Sequence, residues 1–74
     1  MKTTPMIGTY PTIDGELTVK FNEVTDEPNW TNFEDIQYYE DGEEISPEWL
    51  VKKYGRESAD RFIMGAIRNA KNDN

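Results

Sequence analysis

Seventy-four residues, 35% of them hydrophobic and 31% charged, allow one small domain with a thin core and exclude a two-domain enzyme with a cleft between lobes. Fifteen acids, eight bases and no histidine give a net charge of −7, so we expect no direct binding to nucleic acid. The absence of cysteine and histidine removes disulfides, thiolate nucleophiles and the commonest general base, so we expect no enzyme, metal site or cofactor.

The first strand is predicted at residues 16–24, because apolar side chains alternate there with polar ones, at Leu17, Val19 and Phe21. Asp14-Gly15 just before it suits a type I′ turn. Residues 9–13 can therefore pair with this strand as a short edge strand, which Pro11 keeps weak.

A second strand is predicted at residues 33–40, after a break at residues 26–29. It places Ile36 and Tyr38 on one face. Asp41-Gly42 then provides the strongest hairpin signal in the chain, so a third, short strand is expected at residues 43–45.

Two helices are predicted after the strands. Ser46 can cap a helix at residues 47–54, and Gly55 can take the conformation that ends it. Apolar residues at intervals of three and four predict a second helix at residues 57–71. Within it, Gly65 permits close packing.

These elements predict an α+β fold, a small three-stranded antiparallel sheet with one or two helices packed on one face. Residues 1–74 are expected to form a single domain, with 1–8 and 72–74 frayed. The expected core comprises Leu17, Val19, Phe21, Ile36, Tyr38, Phe62, Ile63 and Ile67.

No cationic region leads into an apolar run at the start of the chain, and no segment approaches the roughly 20 apolar residues that a bilayer span needs. We therefore expect no membrane association and a cytoplasmic location.

Charge is distributed unevenly along the chain. Residues 1–50 hold 12 acids and two lysines, whereas residues 51–74 hold three acids and six bases. Aromatic and aliphatic residues lie among the acids of residues 31–50, which is not the composition of a disordered acidic tail.

The acidic strands have two readings. Alternate side chains on a strand lie about 6.6–6.8 Å apart, close to the separation of successive phosphates, so an acidic sheet surface can imitate DNA. Alternatively, the acids only keep a small domain soluble. A calcium loop around Gly42 is disfavoured because its acids lack the required ligand spacing.

From Gln37 onward the chain resembles the small phage-encoded inhibitors of uracil-DNA glycosylase, the dimeric type that mimics DNA. The resemblance rests on Gln-Tyr-Tyr-Glu at residues 37–40, Ile45-Ser46, Tyr54-Gly55 and the Ala-Asp-Arg-Phe-Ile run at residues 59–63. It covers about half of the chain.

The resemblance implies a homodimer that blocks the DNA-binding groove of the glycosylase. Enzymes of this class push an apolar side chain into the duplex to extrude uracil. The inhibitors hold that side chain in an apolar pocket, while nearby acids stand in for phosphates.

Carried onto this chain, the resemblance places Tyr54 and Glu40 at the partner interface. Leu50 falls where the family has an aromatic pocket residue, and Val51 falls where it has a glutamate. Trp49 and Glu48 can supply the missing ring and charge. The expected partner-binding residues are Glu40, Glu43, Glu44, Glu48, Trp49, Leu50 and Tyr54.

Two other functions remain open on the sequence alone. The target can be another DNA-processing or defence enzyme, such as a restriction or CRISPR nuclease, because fold and charge do not choose among targets. The chain can also be a structural or assembly protein whose acidic surface serves only solvation.

Overall fold

The computed structural model describes residues 2–26 and 30–73, which form one antiparallel sheet and two helices. The strands of this described part are β1 (Lys2–Pro11), β2 (Glu16–Asp26), β3 (Trp30–Glu40), β4 (Glu43–Ile45) and β5 (Lys71–Asn72). The helices are α1 (Pro47–Tyr54) and α2 (Arg56–Arg68). The sheet has the strand order β4-β3-β2-β1-β5.

The expected three-stranded sheet is wrong, because the sheet has five strands within the described residues. The fold is still broadly α+β. The largest difference is β1, which pairs with β2 from Lys2↔Thr25 to Pro11↔Glu16, where only a weak strand at residues 9–13 was expected.

Proline in β1 does not prevent this pairing. The carbonyl of Pro5 faces the outer side of β1 and accepts a hydrogen bond from the Asp73 N–H at 3.0 Å. The nitrogen of Pro5 therefore faces the same side, where β2 needs no donor. Residues 2–8 and 72–73, expected to be frayed, are thus ordered in or beside strands, and residues 1 and 74 lie outside the described part.

The second helix ends three residues earlier than expected, at Arg68 rather than residue 71. Lys71 and Asn72 instead form β5, which pairs with Ile7 and Met6 of β1. β3 begins at Trp30, three residues before the predicted start, and most of the predicted break at 26–29 lies outside the described residues.

Of the two predicted turns, one is confirmed. Asp41 and Gly42 have φ angles of 51° and 87°, as a type I′ hairpin requires, and they join Glu40 to Glu43. Neither Asp14 nor Gly15 has a positive φ angle, so the type I′ turn predicted there is wrong. A loop at residues 12–15 makes this connection, closed by a Thr12 N–H to Gly15 carbonyl hydrogen bond of 2.8 Å.

The start and end of α1 follow from its sequence, as expected. The Ser46 hydroxyl accepts a hydrogen bond from the Trp49 N–H at 3.1 Å, and Pro47 occupies the first turn. Gly55, with a φ angle of 91°, ends α1 and begins α2.

A β-bulge interrupts β3. Lys20 pairs with Gln37, whereas Asn22 pairs with Glu34, so Asp35 and Ile36 together lie opposite the one β2 residue between them. Asp35 has a φ angle of 53°. An extra residue of this kind bends the strand and increases its local twist.

The core lies between the sheet and the helices. Leu17, Val19, Phe21 and Phe62 are buried as predicted, and Tyr38, Ile63 and Ile67 are partly buried against them. The exposure of Ile36 is a correction, because the bulge at Asp35 moves it away from the core cluster. The core also includes Ala59 and Ala66, which belong to the apolar stripe predicted for the second helix, and Leu50, which was not predicted there.

Two glycines let α2 lie close to β1. A methyl group on Gly8 would collide with the backbone carbonyl of Ala66, and one on Gly65 would collide with the ring of Tyr10. The close packing expected at Gly65 is therefore confirmed. Gly8 has the same role on the opposing strand, which the sequence pattern did not indicate.

We expect Gly8→Ala to lower the free energy of unfolding by about 1–3 kcal/mol, because the added methyl group forces the helix and strand apart. Urea denaturation followed by circular dichroism measures this change. The exposed neighbour Thr9→Ala is the control, with an expected change of about 0.5 kcal/mol or less. Equal stability of the two variants would show that α2 does not contact β1 this closely.

Candidate functional site

One end of the sheet gathers exposed carboxylates from three connections. The 12–15 loop, the β3–β4 turn and the first turn of α1 meet there. The Asp41 carboxylate accepts a hydrogen bond from the Glu16 N–H at 3.2 Å, and the Asp41 N–H donates to the Glu16 carbonyl at 3.2 Å. We call this region the acidic end, defined by Asp14, Glu16, Asp41, Glu43, Glu44 and Glu48, all of which are exposed.

A buried carboxylate lies beneath the acidic end. Glu40 is only 6% exposed, and its Oε1 accepts hydrogen bonds from the Tyr54 hydroxyl and, at 3.2 Å, from the Thr12 hydroxyl. Its Oε2 lies 3.4 Å from the Lys53 ammonium group. The single side chain of Glu40 therefore joins the 12–15 loop, β3 and α1.

Glu40 was expected at the partner interface, but the structure buries it, and both of its carboxylate oxygens already contact neighbouring side chains. Strand alternation explains the burial. Glu40 pairs with the buried Leu17, and cross-strand pairs share a face of the sheet. The same alternation puts Glu40 on the face of Tyr38, a signal that was already present in the sequence.

The hydrogen bonds of Glu40 overcome the cost of its burial. Burial by itself raises the pKa of the Glu40 carboxyl group. Hydrogen bonds from Tyr54 and Thr12 and the charge of Lys53 lower this pKa by more than burial raises it, so the pKa lies below its usual value. For Lys53, burial lowers the pKa, but the contacts with Tyr54 and Glu40 raise it above its usual value. Both groups are therefore charged at neutral pH.

A depression of about 260 Å³ opens beside this network, lined by Glu40, Asp41, Glu43, Ile45, Trp49 and Lys53. The Lys53 ammonium group lies 4.8 Å from the centre of the Trp49 ring and 3.5 Å from the Asp14 carboxylate. The same ammonium group lies 5.2 Å from the centre of the Tyr54 ring, so Lys53 contacts two carboxylates and two rings.

The remaining predicted residues divide between surface and core. Glu43, Glu48 and Trp49 are exposed at the depression or next to it. Burial raises the pKa of the Tyr38 hydroxyl, and the charge of Glu48 raises it further, which places Glu48 beside β3. Glu44 is exposed, but it pairs with Tyr39 and so lies on the opposite face of the sheet from Glu43.

The predicted surface role of Leu50 is wrong, because Leu50 is fully buried in the core. Tyr54 is half-buried, with its ring 5.3 Å from that of Phe62 and its hydroxyl bonded to Glu40. Helical spacing explains both positions. Leu50 and Tyr54 are four residues apart, on one face of α1, whereas Trp49 and Lys53 lie on the neighbouring exposed face.

The row of acids at phosphate-like intervals along a strand is also absent from residues 2–26 and 30–73. No strand described there carries exposed carboxylates at alternate positions on one face. The strand acids are adjacent instead, as at Glu43 and Glu44, and adjacent side chains point to opposite faces. The acidic end collects its charge from several connections rather than from one strand.

Sequence reasoning missed three members of this site. Thr12, Asp14 and Lys53 contact Glu40 or its neighbours across the fold. Their sequence separation from Glu40 leaves no local signal. Asp41 was identified as a turn residue but not as part of the surface.

The described part of the chain contains neither a metal-binding cluster nor a membrane-spanning helix. No group of three or more acidic side chains in it is arranged to hold a metal ion. No helix in it is long and apolar enough to cross a membrane.

Comparisons with known protein families, with characterised proteins and with solved structures find no match to this chain. The site must therefore be interpreted from its own geometry, and from the short motifs that resemble the glycosylase inhibitors.

We expect Glu40→Gln to lower the free energy of unfolding by about 1–3 kcal/mol at pH 7, because Tyr54, Thr12 and Lys53 lose a charged acceptor. The pKa of Glu40 is lowered in the folded state, so its stabilisation is complete above the usual glutamate pKa. It is lost as the pH falls through the lower folded-state value.

The difference between wild type and Glu40→Gln should therefore shrink on acidification from pH 7 to pH 3, as measured by urea denaturation at each pH. Glu57→Gln, at an exposed position on α2, is the control. A difference that stays constant over this range would contradict the role given to the ionised carboxylate.

Proposed function

We propose that this protein is an inhibitor that imitates DNA and occupies the DNA-binding groove of a uracil-DNA glycosylase. The observation that carries the proposal is the acidic end, where the exposed carboxylates of Asp41 and Glu43 share a depression with the exposed indole of Trp49. No lysine or arginine occurs between Phe21 and Val51. The nearby positive charge of Lys53 is taken up by Glu40 and Asp14.

Such a surface is complementary to the groove of a DNA-binding enzyme, because that groove is positively charged and binds phosphates. The carboxylates can stand in for phosphates through their summed field, without regular spacing along a strand. The indole of Trp49 offers an apolar surface to the side chain that a glycosylase inserts into duplex DNA. Both features lie around one depression, next to the rigid contacts of Glu40.

The proposed inhibitor acts by occlusion, so it needs no catalytic group of its own. It would act in the host cytoplasm, where the glycosylase repairs DNA. Its field steers encounter, and its apolar contacts slow dissociation.

A specific observation favours a second target, another DNA-processing enzyme such as a restriction or CRISPR nuclease. The resemblance to the glycosylase inhibitors places Leu50 and Tyr54 at the interface, yet Leu50 is fully buried and Tyr54 is half-buried against Phe62. The apolar contact of this chain must therefore be built differently, and its groove can belong to a different enzyme.

Uracil release from a uracil-containing duplex by a bacterial glycosylase tests the first target directly. We expect release to be abolished at a several-fold molar excess of the protein. Unchanged release would remove the glycosylase as a target, and the same assay with restriction and CRISPR nucleases would then test the second.

We expect the double variant Glu43→Gln with Glu44→Gln to associate with the target about tenfold more slowly at low salt, because it weakens the steering field at the acidic end. The salt dependence of the association rate should also become shallower. Stopped-flow fluorescence measures both quantities.

Glu57→Gln with Asp60→Asn is the matched control, because it removes the same charge from exposed positions on α2. We expect its association rate to change by less than about twofold. Equal slowing by both double variants would show that net charge, not the acidic end, governs binding.

We expect Trp49→Ala to act on dissociation instead. Loss of a buried aromatic anchor costs on the order of 2 kcal/mol, which corresponds to dissociation about 30-fold faster. Met64→Ala, at another exposed apolar position, should leave the dissociation rate unchanged. A Trp49→Ala variant that dissociates like wild type would exclude the indole from the interface.

The homodimer implied by the resemblance stays a prediction. Pairing two copies would add buried area to a small domain that has no disulfide. Light scattering at micromolar concentration should give about twice the chain mass of 8.6 kDa, and a value near 8.6 kDa would exclude the dimer.

A further inference from the structure

The outer edge of β3 is unpaired over most of its length. β4 pairs only with Tyr38, Tyr39 and Glu40, while β2 pairs with the inner side of β3. Among residues 2–26 and 30–73, no backbone group pairs with the outer edge of residues 30–37. Such an edge presents N–H and C=O groups to any extended chain that approaches it.

This edge is also apolar. Of the six large hydrophobic side chains exposed within the described residues, three lie on it: Trp30 at 65% exposure, Phe33 at 45% and Ile36 at 37%. Soluble proteins usually shorten, charge or cover an edge strand of this kind. Here Glu34, Asp35 and the bulge protect only part of the edge, and its large apolar side chains remain exposed.

A cleft on the face of the sheet adjoins the bulge and extends from β3 across β2 to β1. This cleft of about 530 Å³ has an apolar part formed by Met6, Phe21 and Ile36, and two carboxylates, Asp35 and Asp73, line it together with Lys20. The Asp35 carboxylate accepts a hydrogen bond from the Asn22 amide at 3.1 Å, which fixes its direction. At its β3 side, Ile36 and the Asp35 carboxylate can hold the stem and charged head of a lysine or arginine. The two carboxylates outnumber the single positive charge of Lys20 in this cleft.

Charge decides which kind of chain fits the edge. Glu34 and Asp35 lie on it, and no base occurs between Phe21 and Val51. A second copy of this chain, with its own charge of −7, would bring more acids to the same edge. A chain in which lysine or arginine alternates with apolar residues would supply both opposite charge and apolar contact.

We propose that the outer edge of residues 30–37 binds an extended basic segment of another protein, which joins the sheet as an additional strand. A lysine or arginine of that segment enters the cleft beside Asp35. This inference rests on the edge, the exposed apolar side chains and the cleft, and it does not depend on the proposed inhibition of a DNA-processing enzyme.

The probe is the synthetic peptide acetyl-Lys-Val-Lys-Val-Lys-Val-Lys-amide, added to the isotope-labelled full chain and followed by amide chemical shifts. We expect shifts centred on residues 30–37. A peptide of the same sequence with alternate backbone amides methylated keeps its charge but cannot pair with the edge, so its affinity should fall about tenfold. This comparison requires no change to the protein.

A second comparison uses variants of the edge. Trp30→Lys with Phe33→Lys should weaken peptide binding about tenfold or more, through like charge and loss of apolar contact. Ile13→Lys with Met64→Lys adds the same charge at exposed apolar positions outside the edge and should bind more strongly than the edge variant by a similar factor.

Four results would overturn the proposal. Absence of binding, or equal binding of the methylated peptide, would exclude strand addition. Shifts confined to residues 41–48 would indicate charge attraction to the acidic end alone. If the amide shifts of residues 30–37 change with protein concentration when no peptide is present, the edge binds a second copy of this chain.

Discussion

The buried carboxylate of Glu40 is the constraint on which the acidic end depends. A carboxylate enclosed in a small domain is stable only if its oxygens are hydrogen-bonded and its charge is compensated. Thr12 of the 12–15 loop and the adjacent Lys53 and Tyr54 of α1 meet these needs. The loop after β1, the end of β3 and the end of α1 must therefore come together for Glu40 to be buried at all.

This arrangement separates two uses of negative charge in one small molecule. Glu40 is buried and links the 12–15 loop, β3 and α1, and its carboxylate neutralises the charge of Lys53. The exposed carboxylates around it are left with little local compensation, so their field extends into solvent. Trp49 lies between Glu40 and the exposed carboxylates. Its ring is exposed on one side and contacts the Lys53 ammonium group on the other.

Local chemistry predicted the elements that depend on neighbouring residues. The hairpin at Asp41-Gly42, the cap at Ser46 and three of the four buried positions of β2 each follow from spacing or turn preference. Pairing across the fold was not predictable in this way. β1 has little alternation of its own, and it becomes a strand because β2 offers a full-length partner and Gly8 admits α2.

For the site, too, the sequence predicted local features but not contacts across the fold. Exposure of Glu43, Glu48 and Trp49 could be anticipated from a polar hairpin and a short amphipathic helix. The burial of Glu40 was readable from strand alternation, but its partners Thr12 and Lys53 were not, because nothing local links them. Assigning Leu50 by resemblance alone failed, since its helical spacing with Tyr54 directs it to the core.

The bulge at Asp35 also divides the sheet into regions of unequal cooperativity. The core cluster and the side chains packed on it include Phe21 and Tyr38, but none of the described residues from 22 to 34. Beyond the bulge, β1, β2 and β3 remain paired, but their apolar packing is limited to the buried Val24 and the contact between the Phe21 and Phe33 rings. Regions with so little packing open at lower free energy than the global unfolding reaction. Amide protection from hydrogen exchange should therefore decrease along β2 beyond Phe21, so that the helix-covered part of the sheet stays closed while its far end opens.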